Sequence, residues 1–134
     1  MKNMRTKLFF LMILLVTTVC VVNAQDKKVR GTWKLVNEQH LAAGFTQIKS
    51  ITATQFVMVA YGPDGSILGG GSGTQTAKGG KYTENIVSIG NSNLMGGRAV
   101  YTYTVKGKKM TIKGFIEKGG VKLMYVDEVW EKLD

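Results

Sequence analysis

Apolar and polar positions alternate with a period of two along most of the chain, and turn-forming residues interrupt the alternation at short intervals. Thr32–Asn37 reads as a first strand, and Ile48–Tyr61 as one long strand or two shorter ones. Gly62-Pro63-Asp64-Gly65 is a strong turn, because proline presets φ and the glycines accept positive φ. Ser66–Thr76 follows as a glycine-rich strand and Tyr82–Ile89 as the next. Arg98–Val105, Met110–Ile116 and Val121–Leu133 complete the series, joined by the turns Lys106–Lys109 and Glu117–Gly120. Glu38–Phe45 is the one helical turn, since Leu41-Ala42-Ala43 favours helix and Gly44 ends it. The class is all-β, an antiparallel meander of about eight strands with a short N-terminal helical turn, as a barrel or a tight sandwich. Closure into an up-and-down barrel is favoured, because an open meander this rich in Val, Ile and Thr leaves aggregation-prone edges.

Strand parity assigns faces in several places. Trp33 and Leu35 oppose Thr32 and Lys34, which turns the tryptophan inward. Tyr101 and Tyr103 share a face, and their large buriable area places them inside. Met110, Ile112 and Ile116 also face inward. Phe56 and Met58 share one face while Val57 and Val59 hold the other, so that strand is expected to be buried on both sides or bulged. The last strand is ambiguous, with Met124, Val126 and Trp130 competing against Val121, Leu123, Tyr125 and Val129. Tyr82 and Glu84 lie on one face with Ile86. If that face is interior, Glu84 needs a donor, a tyrosine hydroxyl or Arg98. In the other reading Glu84 is a surface residue paired with a lysine.

The N-terminus follows a different pattern. Lys2, Arg5 and Lys7 precede the apolar run Leu8–Val16, a weaker apolar stretch reaches Val22, and Val22-Asn23-Ala24 offers a cleavage site before Gln25. This is the layout of a secretory signal peptide over residues 1–24, which predicts a secreted or periplasmic domain of residues 25–134. Leu8–Val22 falls short of the roughly 20 residues that span a bilayer, which argues against an uncleaved anchor and leaves no transmembrane span after cleavage. Lipid attachment at Cys20 is disfavoured, because Val19 stands where a lipoprotein carries a small residue.

Composition changes with that division. The 134 residues carry 18 Lys+Arg and 9 Asp+Glu, a net charge of +9. Residues 25–134 keep 15 of the cations and all nine acids, so the net charge falls to +6. The single cysteine lies in the first segment, and the remaining domain therefore has no route to disulfides, zinc–thiolate sites or a cysteine nucleophile. His40 is the one histidine, which leaves no triad or two-histidine metal site. Asp127 and Glu128 are adjacent and point to opposite faces of a strand, which does not suit paired-carboxylate chemistry. No enzyme, cofactor or metal is expected. The run Gly69-Gly70-Gly71-Ser72-Gly73-Thr74 lacks the G-K-[ST] ending and following helix of a phosphate loop, and marks bends of a curled sheet instead. The lysines gather at turns rather than along an aromatic-bearing strand, so nucleic acid is not the expected partner. They form a solvated basic rim suited to an anionic surface.

Taken in order, Gly31-Thr32-Trp33, Asp64-Gly65, Gly69-Gly70-Gly71, Tyr82-Thr83-Glu84 and Trp130-Glu131 resemble the lipocalin-like β-barrel proteins. The likeness is closest to a group of small secreted bacterial lipocalin-like domains of uncharacterised function. The resemblance implies an up-and-down barrel that binds a small apolar molecule. It also implies that Trp33 closes one end, with Lys132 packed over it where the family usually has arginine. A chain this short predicts reduced loops and a reduced cavity.

Two functional expectations follow. In the first, a small, mostly apolar ligand lies in the barrel, with Trp33, Phe56, Met58, Tyr101, Tyr103 and Trp130 as walls. Tyr82 and Glu84 form a polar anchor, and Glu38–Phe45 a lid. In the second, the core is filled and the barrel is a cell-envelope interaction module acting through its basic loops.

Overall fold

A computed structural model describes residues 25–37 and 44–134. The expected signal peptide, and residues 38–43 of the expected helical turn with His40, lie outside the described residues. Eight antiparallel strands follow one another as β1 (Gly31–Leu35), β2 (Thr46–Ile51), β3 (Gln55–Tyr61), β4 (Ile67–Lys78), β5 (Lys81–Ile89), β6 (Arg98–Lys106), β7 (Lys109–Lys118) and β8 (Val121–Lys132). Each pairs with the next, and β8 returns to β1 through Trp33↔Lys132, Lys34↔Glu131 and Leu35↔Trp130, which closes the barrel. Closure satisfies the backbone groups of both edge strands. The helical elements among the described residues are two short 3-10 turns, Lys27–Val29 and Ser92–Leu94.

Ile48–Tyr61 resolves into the two shorter strands β2 and β3. Burial of β3 on both sides is not observed: Phe56 is buried, but Val57 is 51% exposed on the outer face. On β8 the competition is settled for Met124, Val126 and Trp130. Val126 and Trp130 are buried, while Val121, Leu123 and Tyr125 are exposed. A register shift between Ser72 and Gly73 pairs them with Ser88 and Ile86, leaving Val87 as the extra residue of a bulge. The shift resets the parity of β5, and Val87 is 64% exposed.

Some of the strand glycines answer to close backbone approach. A methyl group at Gly73 would overlap the Asn85 carbonyl oxygen, and one at Gly114 would overlap that of Val100. Both lie where neighbouring strands press together in the curved wall, as expected for glycine inside a barrel strand.

One end of the barrel is plugged. The chain before β1 makes its 3-10 turn beneath the sheet, capped by Asp26, whose Oδ1 accepts from the Lys28 amide at 2.9 Å. The Asp26 amide donates to the Ala77 carbonyl at 2.8 Å. Val29 from this turn is fully buried, and its carbonyl accepts a 2.8 Å hydrogen bond from Trp33 Nε1. Lys132 Nζ lies 5.5 Å from the centre of the Trp33 ring, so the lysine packs over the tryptophan within cation–π distance. Above this floor Met110, Ile112 and Trp130 fill the lower barrel and are fully buried.

Candidate functional site

Eight strands enclose a space that side chains can just fill, or that one small ligand can share. Here the lower half is filled and the upper half is a cup. A cavity of about 220 Å³ lies between apolar walls from Phe56, Met58, Ile86, Ile89, Ile116, Met124 and Val126. Its polar lining comes from Gln47, Lys49, Glu84, Tyr101 and Glu128. The β4 positions in phase with buried Gln75 and Ala77 are Gly73 and Gly71, which bring no side chain into the cup. The bulge at Val87 turns Ile89 inward. Met124, 39% exposed, belongs to the mouth, at the end of the barrel that carries the β3–β4, β5–β6 and β7–β8 connections.

The charged centre of the cup is a lysine–glutamate pair. Lys49 is 3% exposed and Glu84 4% exposed. Lys49 Nζ donates to Glu84 Oε1 at 2.7 Å. The same oxygen accepts from the Tyr82 hydroxyl at 2.7 Å. β2 and β5 are separated by β3 and β4 in the sheet, so the pair meets across the barrel interior. Three rings surround the ammonium: Trp130 at 5.0 Å, Phe56 at 5.6 Å and Tyr82 at 6.0 Å from Nζ to ring centre. Desolvating two charges is costly, and a close partner with further hydrogen bonds and facing rings offsets the cost. Burial and the Glu84 charge push the Tyr82 phenol well above its usual pKa. Burial, then the charges of Glu84 and Glu128, do the same to Tyr101. Glu128 Oε2 accepts from Trp130 Nε1 at 3.0 Å.

The residues expected at the site divide by depth. Phe56, Met58, Glu84 and Tyr101 line the cavity. Tyr82 and Trp130 lie beneath it, the first holding Glu84 and the second facing Lys49. Trp33 belongs to the plug. Tyr103 also reaches the closed end, where its hydroxyl donates to Asp26 Oδ2 at 2.7 Å. The surface reading of Glu84 does not hold, since the residue is buried, although its partner is a lysine. Arg98 is exposed at the start of β6 and plays no part; the donors are Lys49 and Tyr82. Lys49 was not among the expected site residues. The signal available for it was its place two residues before Ile51, on the same face of one strand. Of the expected lid, Gly44 and Phe45 are described and 38–43 are not.

A second depression, of about 290 Å³, lies on the outer wall between Gln55, Val57, Ser72, Thr74 and Val87. It is larger but more open than the cup and holds no charged group. The interior site has both enclosure and directional chemistry, the combination typical of ligand sites.

The plug titrates at both ends of the pH scale. Backbone donation from Lys28, then the Tyr103 hydroxyl, holds the Asp26 carboxyl below its ordinary value. This stabilisation is present above the unfolded carboxyl pKa and is lost as pH falls through the lowered folded one. Burial first, then Asp26, pushes Tyr103 up to about 12. Its contribution is present below the unfolded tyrosine pKa of about 10 and disappears as pH rises toward 12. Denaturant midpoints between pH 9 and about 12 are therefore expected to fall more steeply in the native protein than in Tyr103→Phe, which has no phenol to ionise.

The chain matches no protein-family model, no curated protein and no solved structure. Strand order and register alone define its class: an eight-stranded, closed, up-and-down antiparallel barrel, consistent with a lipocalin-like fold. The site adds that the barrel is plugged at one end and cupped at the other.

Proposed function

We propose that this is an exported lipocalin-like protein, without enzymatic activity, that binds a small, mostly apolar molecule in the upper barrel. The observation that carries the reading is the 220 Å³ cup with apolar walls and a paired charge at its base. At roughly 30 Å³ for each liquid water, that volume equals about seven waters, or an organic molecule of about seven to ten non-hydrogen atoms. It lies below the roughly 300 Å³ at which drug-sized sites begin, so the ligand is a short chain or single ring rather than a long lipid. Binding is driven by desolvation of the apolar body, with Glu84, Tyr101 and Gln47 available to orient one polar group. Mass spectrometry of organic extracts from the purified protein is expected to show a co-purified compound of this size. Repeated extracts without one, together with no uptake of added short-chain compounds, would remove the reading.

A second reading, an envelope-surface module, is favoured by the distribution of charge. Nine cations gather at the plugged end: Lys27, Lys28, Arg30, Lys78, Lys81, Lys106, Lys108, Lys109 and Lys132. Asp26, Glu131 and Asp134 are the acids described there, leaving +6. Most of the positive charge among the described residues thus sits opposite the mouth. Lysines near an anionic bilayer contribute about 1 kcal/mol each at physiological salt. Vesicles rich in anionic phospholipid are expected to sediment the protein. Lys106→Glu/Lys108→Glu/Lys109→Glu should weaken that binding by at least about tenfold, and Lys113→Glu/Lys118→Glu/Lys122→Glu by much less. Equal losses from the two triple variants would contradict an end-on orientation.

A further inference from the structure

We propose that Lys49 captures carbonyl compounds: its amine condenses with a short apolar aldehyde seated in the cup, and Glu84 serves as proton acceptor and then as counter-ion. The proposal rests on the ligand-binding reading above and names a ligand class for the same site.

Three observations carry it. First, Lys49 is almost wholly withdrawn from bulk solvent, at 3% exposure, yet it borders the cavity. Second, the cavity beside it is bounded by Phe56, Met58, Ile86 and Ile116, which suits a hydrocarbon chain and keeps down the water that would hydrolyse an imine. Third, Glu84 Oε1 stands 2.7 Å from Nζ, close enough to take the ammonium proton directly. Lysines in desolvated pockets are the usual carbonyl nucleophiles.

The step balances without any further reactant. The Lys49 ammonium passes a proton to the Glu84 carboxylate, and the freed nitrogen lone pair attacks the aldehyde carbon. The C=O π electrons move to oxygen, which takes a proton from the now cationic attacking nitrogen to give a neutral carbinolamine. The proton held by Glu84 then assists loss of the hydroxyl as water, the nitrogen lone pair forms the C=N bond, and the product is a protonated imine. Aldehyde plus ammonium has become iminium plus water. The positive charge stays on nitrogen beside an ionised Glu84 and over the Trp130 ring, 5.0 Å away before reaction. Condensation therefore leaves neither buried charge without its partner, which is the condition that buried ion pairs impose.

The test uses octanal with cyanoborohydride on the purified protein, followed by peptide mapping, and 1-octanol as the matched ligand that cannot condense. At an equimolar dose, one octyl group is expected at Lys49, at a rate at least about tenfold above that of an average exposed lysine. An excess of 1-octanol should suppress that adduct and leave the surface ones unchanged. Lys49→Arg, which keeps the ion pair, should lose the fast adduct; if it does not fold, Lys49→Met/Glu84→Gln serves in its place. Adducts spread over the exposed lysines while 1-octanol still binds in the cup would overturn carbonyl capture and leave the binding reading standing. Failure of both compounds to enter the cup would overturn the two together.

Discussion

Replacing Lys49 with methionine is expected to lower the unfolding free energy by about 3–5 kcal/mol, the usual consequence of leaving one buried charge without its partner. Glu84 would remain 4% exposed with only the Tyr82 hydroxyl to hold it. The sign reverses for the paired change. Lys49→Met/Glu84→Gln carries no buried charge, retains an acceptor for Tyr82, and should recover to within about 1 kcal/mol of the native protein, as neutral replacements of buried ion pairs often do. Urea unfolding of the two variants measures both arms. A single variant as stable as the native protein would mean that the pair is open to water, contrary to its burial.

Trp33→Ala is the second large effect, with a loss of about 3–5 kcal/mol, the range for removing a buried large aromatic side chain. Trp33 is fully buried, donates to the Val29 carbonyl and lies beneath the Lys132 ammonium, so the substitution removes packing, a hydrogen bond and a cation–π contact together. Trp33→Phe separates these contributions. It keeps most of the ring and loses the indole donor, and should cost about 1–3 kcal/mol, because the buried Val29 carbonyl loses its partner. Thermal or urea unfolding gives the magnitudes. Limited proteolysis after residues 27 to 30 should accelerate in Trp33→Ala, since the plug turn is held to the barrel through this side chain. Equal stability of the alanine variant would show that the plug does not secure the closed end.

Much of the barrel was legible because alternation is strong where one face alone is apolar. On Arg98–Val105 the tyrosines turn inward as parity requires, and the glycine-rich stretch behaves as a bent strand rather than a phosphate loop. The last strand could not be assigned from its own residues, since Val121, Leu123 and Tyr125 are as apolar as Met124, Val126 and Trp130. Pairing with β1 through Trp130↔Leu35 decides it, and that contact joins the two ends of the sheet.

The site was legible only in part, for two physical reasons. Period-two patterning tells inward from outward but carries no information on height along the barrel axis. Trp33 and Tyr103 were therefore grouped with Phe56 and Tyr101 as walls, although the first two belong to the plug. The second reason is that a transannular pair has no local signature. Lys49 and Glu84 are three strands apart in order and meet through the interior. A lone lysine between Ile48 and Ser50 reads as solvated until the curvature that brings Glu84 opposite it is known.

The most direct test of the binding cup is a methyl NMR titration with 1-octanol. Eight carbons buried at about 0.8 kcal/mol each correspond to a Kd on the order of 10–100 µM. Saturable shifts in that range, confined to the methyls of Met58, Ile86, Ile89, Ile116, Met124 and Val126, are the predicted result. Absence of a saturable shift at these positions, or shifts centred on Val57 and Val87 of the outer depression, would contradict an interior ligand site.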